Sequence, residues 1–219
     1  MNFRKMFEFL RDLQKNNNKE WMDQNRYRYH EVRDDYITWL NELDQKLMQV
    51  DDNYISTDGR KALNRINNNL LYHPNKPIYK DHFGAGLDLN ASGKQGDFYI
   101  HIGVNESFLA GGYWKPKKEL LDSIRDAIDY NGDEFKKVLN KKSFKDTFDL
   151  IDDGESLKTA PKGFSQDHEH IDLLRKKTHA VSHSLTQKEI MQADFIDHCV
   201  HVYKEMMPFR DYLNKAVTV

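Results

Sequence analysis

Apolar positions recur along the first fifty residues with a helical period. Phe3, Met6, Phe7, Leu10 and Leu13 form one stripe at spacings of three and four, which predicts an amphipathic helix. Asn16-Asn17-Asn18 breaks the stripe. Asn17, followed three residues later by Glu20, reads as an N-cap with its capping-box acid. A long helix is expected from about Lys19 to Val50, where Val32, Tyr36, Leu40, Leu43, Leu47 and Val50 keep the 3.6-residue period. Asp51-Asp52-Asn53 ends it, so the chain opens on a helical hairpin over residues 3–50.

The period then falls to two. Phe83, Ala85, Leu87 and Leu89 alternate with Gly84, Gly86, Asp88 and Asn90, and Phe98, Ile100, Ile102 and Val104 alternate with Tyr99, His101 and Gly103. Both runs predict half-buried strands, joined by a hairpin connection at Ala91–Gly96. A third strand is expected through Phe108 to Trp114, closing a sheet region over about 54–114. Pro116 suits the first turn of a helix carrying Leu120, Leu121, Ile124, Ala127 and Ile128, with Asn131-Gly132 as its stop. Residues 115–219 mix helix and strand. Phe135, Val138 and Leu139 suggest a short helix, Leu157–Phe164 an extended stretch with a turn, residues 168–177 a further helix, and residues 178–185 a strand. Thr186 with Glu189 forms a capping box for a helix through about Met207. Helices, then strands, then helices again point to a single α+β domain. Its expected form is a mainly antiparallel sheet of four to six strands flanked by helices, with the long N-terminal helix across it.

Composition narrows the function classes. A chain of 219 residues is long enough to bury about 70% of its extended surface. Thirty-three Lys and Arg against 35 Asp and Glu disfavour a duplex-coating protein or a polybasic membrane anchor. The single cysteine, Cys199, makes no intrachain disulfide and reads as a buried packing residue. No stretch approaches the ~20 apolar residues of a spanning helix, and the N-terminus lacks the pattern of a secretory signal. A cytoplasmic protein without a membrane partner is expected.

Four fragments occur in order: Asn16–Trp21 (NNNKEW), Asn25–Tyr29 (NRYRY), Asn75–Asp88 (NKPIYKDHFGAGLD) and Leu157–Phe164 (LKTAPKGF). Together they resemble the bacterial and fungal proteins grouped as domain of unknown function 2461, from Phe7 to about Pro208. The resemblance implies one compact domain and no particular reaction, cofactor or catalytic residue. Typical members resemble RxxRDxRFSxDKxPYK where this chain reads RINNNLLYHPNKPIYK, Arg65 to Lys80. Arg65, Lys76, Tyr79 and Lys80 fit that pattern. Asn68-Asn69 replaces an Arg-Asp pair, Leu71 an Arg and His73 a Ser, which marks a diverged member.

Gly59 to Lys80 is the stretch richest in candidate chemistry. It holds Arg60, Lys61, Arg65, Lys76 and Lys80 without an acid, interleaved with Tyr72, His73 and Tyr79. Cations beside aromatic rings suit an anion carried on a flat ring. The plainer reading is a solvated face paired with acids such as Asp149, Asp152, Asp153 and Glu155. His101 lies on a strand face among small residues, where an imidazole suits proton transfer or simple interior hydrogen bonding. Trp114 and Lys115, just before a helix start, could stack on a ring and contact a phosphate, and Lys162 sits on a turn near Lys158. The expected site is thus a pocket for a phosphorylated or carboxylated small molecule, built from Arg65, Lys76, Tyr79, Lys80, Trp114, Lys115 and Lys162, with His101 as the candidate acid–base group. The alternative is a noncatalytic binding module for a protein or a single-stranded nucleic acid. Asp167–His170 (DHEH) is dense in ligand atoms, and Asp194, His198, His201 and Glu205 share one helical row, but neither has a recognised metal-site spacing. No metal and no cofactor are expected.

Overall fold

The computed structural model describes residues 1–89 and 97–217, so most of the predicted hairpin connection lies outside the described residues. The elements are α1 (Phe3–Lys15), α2 (Lys19–Met48), α3 (Gly59–Ala62), β1 (His82–Leu87), β2 (Phe98–Gly103), β3 (Ser107–Tyr113), α4 (Lys118–Asn140) and α5 (Lys142–Thr147). After them come β4 (Asp149–Leu150), α6 (Ile171–Leu174), β5 (His179–Ser184), α7 (Gln187–Ile190) and α8 (Phe195–Val217). The strands form an antiparallel five-stranded sheet in the order β1-β2-β3-β5-β4, an α+β architecture. The chain divides into two compact units. Unit 1 holds Met1–Asp88, Tyr99–Leu109 and Ser184–Val200, and unit 2 holds the rest.

In unit 1 the predicted stripes are the buried ones. Phe3, Met6, Phe7, Leu10 and Leu13 of α1 are buried in the core, as are Leu40, Leu43 and Leu47 of α2, and the two helices meet through Phe3 on Trp39 (5.4 Å) and Phe9 near Trp21 and Tyr29 (6.0 Å each). β1 enters that core through Phe83, whose ring lies 6.5 Å from Phe9, 6.2 Å from Tyr29 and 5.9 Å from Tyr36. The long helix therefore packs on the strand as expected. Buried aromatic rings are the largest single contributors of apolar area, which is why this cluster anchors the hairpin. Beyond α2 the backbone is tied down by Asp44, which is 3% exposed. Its carboxylate accepts hydrogen bonds from Tyr54 Oη (2.6 Å), Ser56 Oγ (2.7 Å) and the Thr57 N–H (2.7 Å).

The cap of α2 differs from the expectation by one residue. Asn18 is the N-cap, accepting from the Trp21 N–H. Asn17 is used elsewhere: its amide donates to the Tyr79 carbonyl and accepts from the Tyr79 N–H, both at 2.9 Å. A side chain that pairs with both backbone groups of a distant residue is not free to cap its own helix.

In unit 2, α4 buries Leu121, Ile124, Ile128 and Phe135, and the Phe135 ring stacks on Phe209 and Tyr212 of α8. Asn131-Gly132 interrupts the helix without ending α4. The helical backbone is broken at Asn131 (φ −145°, ψ 41°), where expected, and a second helical stretch carrying Phe135 follows directly across the kink. The kink leaves carbonyls without their normal partners, and Tyr212 Oη donates to Ala127 O (2.9 Å) and Asn131 O (3.2 Å). β4 is a two-residue strand in register with β5 (Asp149 with Ser182, Leu150 with Val181). The Thr186–Glu189 capping box is present, but α7 ends at Ile190 and α8 starts afresh at Phe195. Cys199 is fully buried, and burial holds its thiol well above the usual range. Among the described residues no helix is long and apolar enough to cross a membrane.

Candidate functional site

The alternation that buries Phe83, Ala85 and Leu87 puts His82 and Gly84 on the other face of β1. Tyr99, His101 and Gly103 share the corresponding face of β2, and Phe108 that of β3. Three flat rings stack there across the strands. The His82 and His101 centroids are 4.1 Å apart at 25°, and those of His101 and Phe108 are 4.6 Å apart at 9°. Tyr99 borders the stack, 6.3 Å from His101 and 6.1 Å from Phe108. Gly84 makes room for this arrangement, because a Cβ there would lie 2.3 Å from the Tyr99 hydroxyl. The glycine thus admits a neighbouring ring.

His101 is 8% exposed, and burial, reinforced by the neighbouring His82 and opposed by Asp81, pushes its pKa down to about 4. It is a neutral imidazole at pH 7. Its Nε2 lies 3.9 Å from Glu106 Oε1, beyond hydrogen-bond reach. Burial also lowers the pKa of His82, against the pull of Asp81, whose Oδ1 is 3.4 Å from His82 Nδ1. Burial tends to raise the Asp81 carboxyl, but hydrogen bonds from Gln14 (2.9 Å) and His82 outweigh it and hold the group below its ordinary value. The result is a neutral imidazole pair next to a carboxylate. Such a pair can accept a proton without first losing one.

The expected cationic residues divide between the units. In unit 1, residues 63–67 run beside β1: Leu63 bridges Ala85, and the Asn64 N–H donates to Gly84 O at 2.8 Å. Arg65 is exposed on this segment, and its guanidinium has no partner among the described residues. Lys80 donates from Nζ to Arg65 O at 2.6 Å, and its charge contributes to lowering the His82 pKa. Arg65, Lys80 and the histidine stack therefore adjoin one another. Lys76 is exposed in the 68–78 loop, also without a partner among the described residues, and Tyr79 is 5% exposed with its backbone clamped by Asn17.

The other three lie in unit 2. Trp114 is 55% exposed, with Lys115 Nζ 5.5 Å from its ring centre. That ammonium pairs with Glu155 at 2.5 Å, the acid pairing of the plainer reading. Lys162 is exposed on a turn closed by the Phe164 N–H to Pro161 O. His82 and Phe108 were not among the sequence candidates. Strand parity was the available signal, since both occupy the same face as His101. A cavity of about 460 Å³ elsewhere in unit 1 opens beside Phe3, Trp39 and Phe195. Its walls carry Arg4 and Glu42 but no histidine.

A family model described as a conserved hypothetical protein (DUF2461) matches residues 5–212. No curated protein and no solved structure matches the chain.

Proposed function

The chain belongs to the DUF2461 family, and we propose that unit 1 of this member binds a small anionic molecule with a planar part on the His82–His101–Phe108 face. The observation that carries this reading is the stack itself: the desolvated, neutral imidazole of His101 between two flat rings, one of them His82, whose pKa the Lys80 charge helps to lower. A planar ligand edge would rest against Tyr99 and Phe108, both half-buried. Its phosphate or carboxylate would meet Lys80 and Arg65. In a catalytic version of this site, His82 and His101 would take a proton from the bound molecule, with Asp81 stabilising the imidazolium that forms.

The test is thermal shift across nucleotides, sugar phosphates, carboxylates and short single strands, with wild type beside Arg65→Ala/Lys80→Ala and Phe108→Ala. A ligand at about 100 times its Kd adds roughly 2.7 kcal/mol of stability. A shift in wild type that is lost in both variants, each still folded, is the expected result. No shift with any probe would overturn the small-molecule reading.

One observation favours the alternative of a macromolecule-binding module. The 68–78 loop exposes Leu71 (83%) and Tyr72 (73%) beside Lys76. A shift with single strands only, lost on Leu71→Ala/Tyr72→Ala and kept in Phe108→Ala, would favour that reading.

A further inference from the structure

Unit 2 holds a second histidine cluster, built around the kink in α4. His170 is 3% exposed, and its ring lies flat on Gly132. A Cβ at position 132 would lie 2.3 Å from the imidazole Cδ2 and 2.7 Å from its Nε2, so only a glycine leaves room for the ring. His168 fixes the backbone at this point. Its Nδ1 accepts the His170 N–H at 3.0 Å, and its Nε2 donates to Asp129 Oδ1 at 2.8 Å, which determines its tautomer. Lys136 Nζ donates to the Glu169 carbonyl at 2.8 Å and holds the neighbouring residue in place.

The imidazole so seated makes no hydrogen bond among the described residues. Nδ1 of His170 is buried without a hydrogen-bond partner. Nε2 points between two carboxylates, 3.9 Å from Asp133 Oδ1 and 3.9 Å from Glu169 Oε1. Both distances are too long for hydrogen bonds. They are, however, within reach of a bridging cation. An ion about 2.0–2.2 Å from each ligand atom can span ligand pairs up to roughly 4.2 Å apart. The three ligand atoms all lie within 4.8 Å of one another, and the two exposed carboxylates can close the remaining gap by rotation. A nine-tenths-buried imidazole whose Nε2 lies between two carboxylates without bonding either is placed to give that nitrogen to a cation.

We propose that Asp133, Glu169 and His170 form a binding site for one divalent first-row transition-metal ion. One imidazole nitrogen with two carboxylates suits Zn²⁺ or Mn²⁺ better than Mg²⁺ or Ca²⁺, which take oxygen ligands. Three protein ligands leave a position open, and Asp133 and Glu169 are each 75% exposed, so that position faces water. The site is therefore of the open type, able to hold a metal-bound water. Gly132, next to the kink at Asn131, seats the His170 ring, and Asp133 follows it directly in the chain.

The experiment titrates the chelator-treated full chain with Zn²⁺, Mn²⁺ and Mg²⁺ by calorimetry. Wild type is run beside Asp133→Asn/Glu169→Gln, two exposed changes that leave the buried ring in place. The expected result is one Zn²⁺ per chain, with affinity at least roughly tenfold weaker in the double variant and Zn²⁺ bound more tightly than Mn²⁺. Substoichiometric Mn²⁺ is expected to broaden the amide NMR signals of Gly132 and His170 before those of His198 and His201, exposed or half-buried histidines in a different helix. Absence of binding in wild type would overturn the proposal. So would equal Zn²⁺ affinity in the double variant, or broadening that begins at His198 and His201.

Discussion

The two histidine pairs show how little burial alone says about an imidazole. His101 and His170 are both less than a tenth exposed. In unit 1, β-pairing brings together two histidines distant in sequence and lays them ring on ring against Phe108. In unit 2, two histidines two positions apart are separated by role: His168 has a hydrogen-bond partner on each nitrogen, and the buried Nδ1 of His170 has none among the described residues. The first environment satisfies the π-faces and desolvates the edge, which holds the group neutral. The second supports the ring on a bare glycine and leaves its Nε2 facing acids, an arrangement suited to a cation. What the ring edge meets decides the chemistry.

The comparison can be broken most strongly through pH. His101 has a folded pKa of about 4 against an ordinary value of 6.5. Between those values the unfolded chain binds a proton that the folded chain refuses. The stabilisation is therefore complete above pH 6.5 and lost as pH falls to about 4, up to about 3 kcal/mol in all. His179 in unit 2, fully enclosed and pushed down to about 3 by burial, adds to the same acid loss. Urea unfolding at pH 7, 5.5 and 4.5 is expected to show this decline in wild type. His101→Phe, which keeps a flat ring in the stack, is expected to remove about half of it. An undiminished decline in His101→Phe would place the acid sensitivity elsewhere.

Two glycine substitutions sharpen the contrast. Gly132→Ala drives a methyl into a ring enclosed on its other sides, and overpacking of this kind costs about 2 kcal/mol. The expected denaturant midpoint is correspondingly lower, with the metal response lost. Gly84→Ala meets the far end of the Tyr99 side chain, which can swing aside, so the expected loss is below about 1 kcal/mol. Its signature is a displaced Tyr99 ring signal with near-normal stability. Equal losses in the two variants would mean that both rings are held with the same rigidity.

Much of the fold was legible because apolar period maps directly onto burial. The α1 stripe, the α2 stripe and the inward residues of β1 and β2 are the core. The departures share one cause, a side chain committed to a distant partner. Asn17 could not cap α2 because Tyr79 holds it, and the break at Asn131 became a kink filled by Tyr212 and His170. β4 is two exposed residues with no apolar pattern to announce them. At the sites, His101 was visible through strand parity, and the DHEH segment through ligand density. Asp133 was not, since only the kinked helix brings it beside that segment.

The grip of Asn17 on Tyr79 has a consequence for how this chain can vary. Asn67 bridges Tyr79, the Asn68 N–H donates to Ile78 O, and the Asn68 amide donates to Pro77 O. The stem of the 68–78 loop is thus closed by its own bonds and pinned from the α1–α2 turn. Whatever lies beyond the stem can be rewritten without moving Lys80 or His82. The stretch where this chain departs from the family pattern falls within that closed loop and its stem. It is the part of the molecule where lineage can experiment while the sheet face stays fixed, and a natural place to graft a foreign loop.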